Sequence, residues 1–329
     1  MPKTAVVALG GNAFTRAGQT GTYEEQSRNA LAMARSVLAI RRAGWNVVIV
    51  HGNGPQVGNL AIQQEEGRGL VPAQPLFSLG AMTQGEIGSL IELALHAGES
   101  DVAVAALITH VVVSPEDPAF GSPAKPIGPF FTGTQADELA AERGWTVGDD
   151  SGRGFRRLVP SPHPIEVVET AAIKLLVAAG TIVIAGGGGG VPVASGSAGL
   201  HGIEAVIDKD YVAVQLATSL AAEALVFVTD VPRLMLDFGL PTARALDEID
   251  VATAEGYQRD GQFPAGSMGP KVSAATQFLR SGGELAVIST AEFAAGTLEP
   301  NDDATLNGGG GAGRGTRIVA TRRAARVAT

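Results

Sequence analysis

The chain has 329 residues, of which 45% are apolar, enough for a large core and within the size of one big α/β unit. Its net charge of −9 gives no general attraction to nucleic acid or anionic membranes, so any anionic ligand must be held by local groups. The absence of cysteine excludes disulfides, thiolate metal sites and cysteine nucleophiles.

In chain order, the run from Ala5 to Leu9 predicts a buried strand that stops at Gly10-Gly11 and turns polar at Asn12. Glycines there let main-chain N–H groups approach an anion, and the Asn12 amide both donates and accepts hydrogen bonds. Residues 23–43 have helical periodicity, with Arg41 and Arg42 in the last turn and Gly44 as the stop. Residues 46–50 predict a second buried strand running into Gly52-Asn53-Gly54, followed by a helix over 56–66. Residues 79–97 read as helix and 102–113 as one apolar strand, bent near Thr109-His110.

Residues 114–164 hold eight prolines and break the periodicity, so they predict an insertion that projects from the sheet as a lid or flap. A short helix is expected near 135–143. The α/β rhythm then resumes: helix over 165–179, strand over 181–185, and a five-glycine turn at 186–190 that could approach phosphate closely. A hairpin is expected at 196–202, and a strand-like run over 203–207 leads to Asp208-Lys209-Asp210 at the head of a helix reaching about 222. Residues 224–228 predict a strand ending in Thr229-Asp230-Val231, and 247–257 a short helix. Gly266 to Lys271 opens a helix to Arg280, and closing strands are expected over 284–289 and 315–319.

Helices alternating with buried strands predict a mostly parallel sheet covered on both faces, with ligands beyond the carboxyl ends of its strands. The glycine turns and Thr229-Asp230 all fall at those ends, which suggests one shared site. No G-x-x-x-x-G-K-[ST] motif is present, so the chain is not a P-loop protein. Residues 308–313 match G-x-G-x-x-G, but no strand precedes them, and the stretch 299–314 reads as a flexible glycine-rich loop.

A lone lysine is usually a solvated surface group. Lys209 differs because it lies between two carboxylates, and Lys271 stands at a helix start, where the dipole already favours anions. Together they could neutralise a phosphoryl group in flight, with Asp210 holding them in place.

Several motifs in order resemble carbamate kinases: Val6-Val-Ala-Leu-Gly-Gly-Asn12, His51-Gly-Asn-Gly-Pro-Gln-Val-Gly-Asn59, Ala81-Met-Thr-Gln-Gly85 and Lys125-Pro-Ile-Gly-Pro-Phe130. Gly152-Arg-Gly154, Ile203-Glu-Ala-Val-Ile-Asp-Lys-Asp210 and Gly266-Ser-Met-Gly-Pro-Lys271 continue the resemblance. It covers residues 4–296 and resumes at 315–319, and the Lys125 insertion looks like the projecting subdomain that sets carbamate kinases apart from other amino-acid kinases.

The resemblance implies a single α/β domain over 1–329: a three-layer αβα sandwich around a mostly parallel open sheet, with a small projecting subdomain. It implies a homodimer that interconverts ATP and carbamate with ADP and carbamoyl phosphate, used toward ATP. The leading six-residue apolar run, too short for a signal peptide core or a membrane span, makes a cytoplasmic protein the default expectation. Mg2+ would arrive mainly on the nucleotide phosphates, and neither nucleic acid nor membrane is an expected partner. Lys209, Lys271, Asp210 and Lys125 would be catalytic, and Gly10, Gly11, Asn12, Gly52, Asn53 and Gly54 would hold the carbamate and phosphoryl group. Asp208, Thr229, Asp230, Val231, Ser267 and Met268 would lie near the nucleotide. The alternatives are a kinase of another small carboxylate and a non-catalytic nucleotide-binding regulator. Three departures stand out: Gly269 replaces a larger apolar residue, His163 replaces a usual basic residue, and the approach to the last strand is long and glycine-rich.

Overall fold

A computed structural model of the chain describes residues 2–10, 14–16, 18–150, 152–264, 268–299 and 314–321. The expectations for Gly11, Asn12, Ser267 and nearly all of the 299–314 loop lie outside the described residues. Within them, the apolar runs bounded by glycine form the strands of one eight-stranded sheet. Its order is Glu248–Asp250, Thr316–Val319, Leu285–Ser289, Ala224–Val228, Thr4–Leu9, Asn46–His51, Ile182–Ile184, Val104–Ala106. Every neighbouring pair is parallel except Leu285–Ser289 with Thr316–Val319.

Alternation along the strands feeds two cores. Ala5, Val7 and Leu9 face one core, shared with Met33, Val37 and Leu38 of the Tyr23–Arg42 helix and Ile87 and Ile91 of the Leu76–Gly98 helix. Val6 and Ala8 face the other, with Val212 and Leu216 of the Lys209–Ser219 helix and Val272 and Phe278 of the Met268–Arg280 helix. Burying each such large apolar side chain contributes about 1.5–3 kcal/mol. The result is the expected three-layer αβα sandwich.

Four sequence expectations need correction. The single strand over 102–113 is two: Val104–Ala106 in the main sheet and His110–Val112 in a second sheet with Val191–Gly196. The chain turns at Thr109, whose buried hydroxyl and amide are tied to Gln84 Oε1 at 2.7 and 3.0 Å. The helix over 165–179 begins only at Thr170, because Glu166–Val167 pairs with Val111 and Val112. The run over 203–207 forms no strand; Ala205, Val206 and Ile207 are buried, with the Val206 amide bonded to Pro160 O at 3.0 Å. In the 247–257 segment, Glu248–Asp250 is the strand bordering Thr316–Val319, and the helix is Val251–Arg259, capped by Asp250. The hairpin is present, as Val191–Gly196 against Gly199–Gly202.

Within 114–164, a three-stranded sheet of Lys125–Phe131, Phe155–Val159 and Thr146–Asp149 carries the Gly133–Arg143 helix. A capping box of Thr132 and Gln135 starts that helix, and Gly144 ends it in the left-handed conformation. A third, small core of Val57, Ala61, Leu79, Ile127, Val159 and Val206 fastens the insertion to the Gln56–Gly67 helix. Gly58 and Gly128 meet there so closely that a Cβ on Gly58 would collide with the Gly128 backbone.

Candidate active site

The parallel register sets the floor of the site. Leu9 is level with both His51 and Val228, and Val228 with Ser289, so the carboxyl ends of four strands share one edge. The chains leaving that edge are stitched across it: Gly10 N donates to Val228 O at 3.0 Å, Gly52 N to Leu9 O at 3.1 Å, and Thr229 N to Ser289 O at 2.9 Å. Gly10, Gly52 and Thr229 are thereby brought side by side, with Asp230 and Val231 continuing from Thr229. Asn53 is buried, and its Oδ1 accepts from Thr83 Oγ1 at 2.8 Å. Gly54 adopts a positive φ of 53°, which turns the chain into the Gln56–Gly67 helix.

The five-glycine turn after Ile182–Ile184 is packed tightly against the rest of the protein. A Cβ on Gly187 would strike the His51 ring, one on Gly188 the Asn53 amide, and one on Gly189 the Ile207 carbonyl. These glycines are therefore required by close packing within the protein. His51, fully buried against them, is held at a pKa of about 4 mainly by burial, with the Lys209 charge adding to the effect and the Gly52 carbonyl opposing it. It is neutral at pH 7, with Nδ1 3.1 Å from Gly52 O.

At the head of the Lys209–Ser219 helix lies the charged centre. Asp208 is the N-cap, its Oδ1 accepting from Asp210 N at 2.9 Å. Asp210 is 3% exposed and receives two lysines, Lys209 Nζ on Oδ1 at 2.6 Å and Lys271 Nζ on Oδ2 at 3.0 Å. Lys271 reaches it from the Met268–Arg280 helix, where Met268 is the first described residue, partly buried against the core. Lys125 comes from the insertion and donates to Asp208 Oδ2 at 2.6 Å. Burial would raise the Asp210 carboxyl, but the two lysines overrule it and hold it far below the usual carboxylate range. Burial likewise depresses Lys209 against the opposing pull of Asp210, with the Lys271 charge adding to the depression.

The structure thus brings Lys125, Asp208, Lys209, Asp210 and Lys271 into one bonded cluster. Sequence reasoning missed the Lys125–Asp208 pair and the buried Thr83 and Gln84, although both residues lie in the Ala81-Met-Thr-Gln-Gly85 motif. His163 packs on Tyr211 with ring centroids 4.5 Å apart and planes tilted by 46°, so this position lies beside the Lys209–Ser219 helix. Gly269 fits its place: a Cβ there would lie 3.1 Å from Pro264 O.

The model of the amino acid kinase family matches residues 3–289. The chain belongs to the amino acid kinase family. Among family members it is 45% identical to a carbamate kinase of Pyrococcus horikoshii over 305 residues, covering 91% of this chain and 97% of that protein. A carbamate kinase of Pyrococcus furiosus is 46% identical over the same coverage. In three dimensions the chain is similar to a carbamate kinase of Giardia lamblia bound to AMP-PNP, with a TM-score of 0.84, 38% identity, and 97% and 98% of the two chains covered.

Proposed function

We propose that this chain is a carbamate kinase, which transfers a phosphoryl group reversibly between ATP and carbamate and runs mainly toward ATP from carbamoyl phosphate. The observation that carries this reading is the Asp210 carboxylate bridging Lys209 and Lys271 at 2.6 and 3.0 Å. Two ammonium groups this close repel each other, and the buried carboxylate between them holds both in place and aims them at one spot. Such a preorganised pair suits the charge that spreads over a phosphoryl group in transfer. The close carbamate kinase relatives supply the acceptor.

In the ATP-forming direction a terminal phosphate oxygen of ADP attacks the phosphorus of carbamoyl phosphate. The bond from phosphorus to the carbamoyl oxygen breaks, and its electron pair leaves with carbamate. No proton has to move at the reacting atoms, so no general base is needed, consistent with a buried neutral His51. Lys209 and Lys271 neutralise the oxygens of the phosphoryl group in flight. Lys125, carried by the insertion acting as a flap, adds a third charge over the small substrate. Gly10, Gly52, Asn53 and Gly54 line the carbamate end, while Thr229, Asp230, Val231 and Met268 face the nucleotide.

Mg2+ belongs to the nucleotide phosphates in this reading. Asp208 and Asp210 are both occupied by ammonium groups, and among the described residues no group of three His, Asp or Glu is placed to hold a cation. Among the described residues no helix is long and apolar enough to cross a membrane. A cytoplasmic homodimer is the form we assign by likeness to carbamate kinases. A substrate panel tests the function: ATP should form from ADP with carbamoyl phosphate and not with acetylglutamyl phosphate. The reverse preference would assign another member of the family.

A further inference from the structure

We infer that Asp208 is a positioning residue that aligns the insertion's Lys125 with the Lys209–Lys271 pair, and is not a ligand of the nucleotide. This rests on the phosphoryl-transfer reading above. Both carboxylate oxygens of Asp208 are engaged inside the protein: Oδ2 takes Lys125 Nζ at 2.6 Å and Oδ1 takes the Asp210 amide at 2.9 Å. The second bond is the N-cap of the helix that carries Lys209 and Asp210, so one side chain joins the flap to the catalytic turn.

Both ends of this link are stiff. On the helix side, the Ile207 carbonyl just before Asp208 lies against Gly189, which holds a φ of 90°. On the flap side, the Lys125–Phe131 strand is pressed onto the Gln56–Gly67 helix at Gly128, and Arg156 Nε clasps the Gly128 carbonyl at 2.9 Å. Lys125 thus meets Asp208 from a strand fixed against the Gln56–Gly67 helix, and Asp208 meets Lys125 from a helix start fixed against the glycine turn. Burial opposes ionisation of Asp208, and the Lys125 charge together with the helix amide outweighs it, so the link is a charged one. Three ammonium groups on two carboxylates leave one net positive charge, suited to an anionic phosphoryl donor.

Three variants test this: Asp208→Asn, Lys125→Ala and the double. Asparagine still caps the helix but carries no charge for Lys125. Asp208→Asn should lower kcat/KM for carbamoyl phosphate roughly tenfold, the scale of one charge-assisted hydrogen bond, with KM for ADP unchanged. The double variant should then be no worse than Lys125→Ala, because positioning a missing lysine has no value. If the full Asp208→Asn loss persists on top of Lys125→Ala, or falls on KM for ADP, Asp208 acts on the nucleotide and the inference is overturned. Asp208→Ser, which caps but cannot reach Lys125, repeats the test should the asparagine variant fold poorly.

A labelling arm separates this inference from the reaction assigned. In the ligand-free protein, reductive methylation of Lys125, read by mass spectrometry, should speed up in Asp208→Asn. An unchanged rate would refute the pairing whatever reaction the protein performs. A wild-type protein that makes no ATP from carbamoyl phosphate would instead refute the phosphoryl-transfer reading, with the pairing still decided by the label.

Discussion

Lys271 and Asp210 stand 61 positions apart in the chain, and their charged groups meet at 3.0 Å. Two helices from different parts of the sequence thus converge on one buried carboxylate, which also holds Lys209. Asp210 is the main group opposing the depression of the Lys209 ammonium by burial. Asp210→Asn should therefore lower kcat and also move its alkaline limb to lower pH, because Lys209 then loses its proton more easily. The pH profile of kcat from neutral to alkaline conditions checks both effects. An alkaline limb that stays in place would mean that Lys209 is not the group titrating there.

His51 binds its proton near 6.5 as an ordinary histidine and near 4 in the folded chain, because it is buried. Between those values the unfolded chain holds more protons, so stability is complete above about pH 6.5 and declines as the pH falls toward 4. The full loss amounts to about 3 kcal/mol. Urea midpoints on both sides of that range should show the decline, and the His51 ring should show no NMR titration near its ordinary value. A ring that titrates there would place His51 in solvent.

Gly58→Ala should undock the insertion. Its new methyl group would collide with the Gly128 backbone, and main chain in a strand cannot swing aside as a long side chain can. The main sheet takes no part in this contact, so the αβα core should keep its fold and its affinity for ADP. Use of carbamoyl phosphate should fall toward the level of Lys125→Ala. Kinetics like wild type would show that the insertion docks without this contact.

How much of this was legible beforehand depended on distance along the chain. Strands such as Thr4–Leu9 and Ala224–Val228 announced themselves because burial on both faces demands unbroken apolar runs. The break at Thr109 did not, since it depends on Gln84, 25 positions away. Glu166–Val167 read as helix because only its pairing with Val111 and Val112 makes it a strand. The charge pattern and helix starts marked Lys209, Lys271 and Asp210 as one group, and the family resemblance added Lys125. That Lys125 bonds to Asp208, 83 positions on, rather than hanging over the site alone, is set by tertiary packing at Gly58 and Gly128. At the glycine turn over 186–190, composition pointed to phosphate, while the neighbours that exclude a Cβ at Gly187 and Gly188 are the protein's own His51 and Asn53.

The most direct test of the lysine pair as the phosphoryl-transfer centre is the kcat for ATP formation from ADP and carbamoyl phosphate in wild type, Lys209→Ala and Lys271→Ala. Each alanine variant should fold normally by circular dichroism and lose a hundredfold or more in kcat, since removing one preorganised donor costs roughly 3–4 kcal/mol. Near-normal turnover in either folded variant would contradict the assignment of these two lysines.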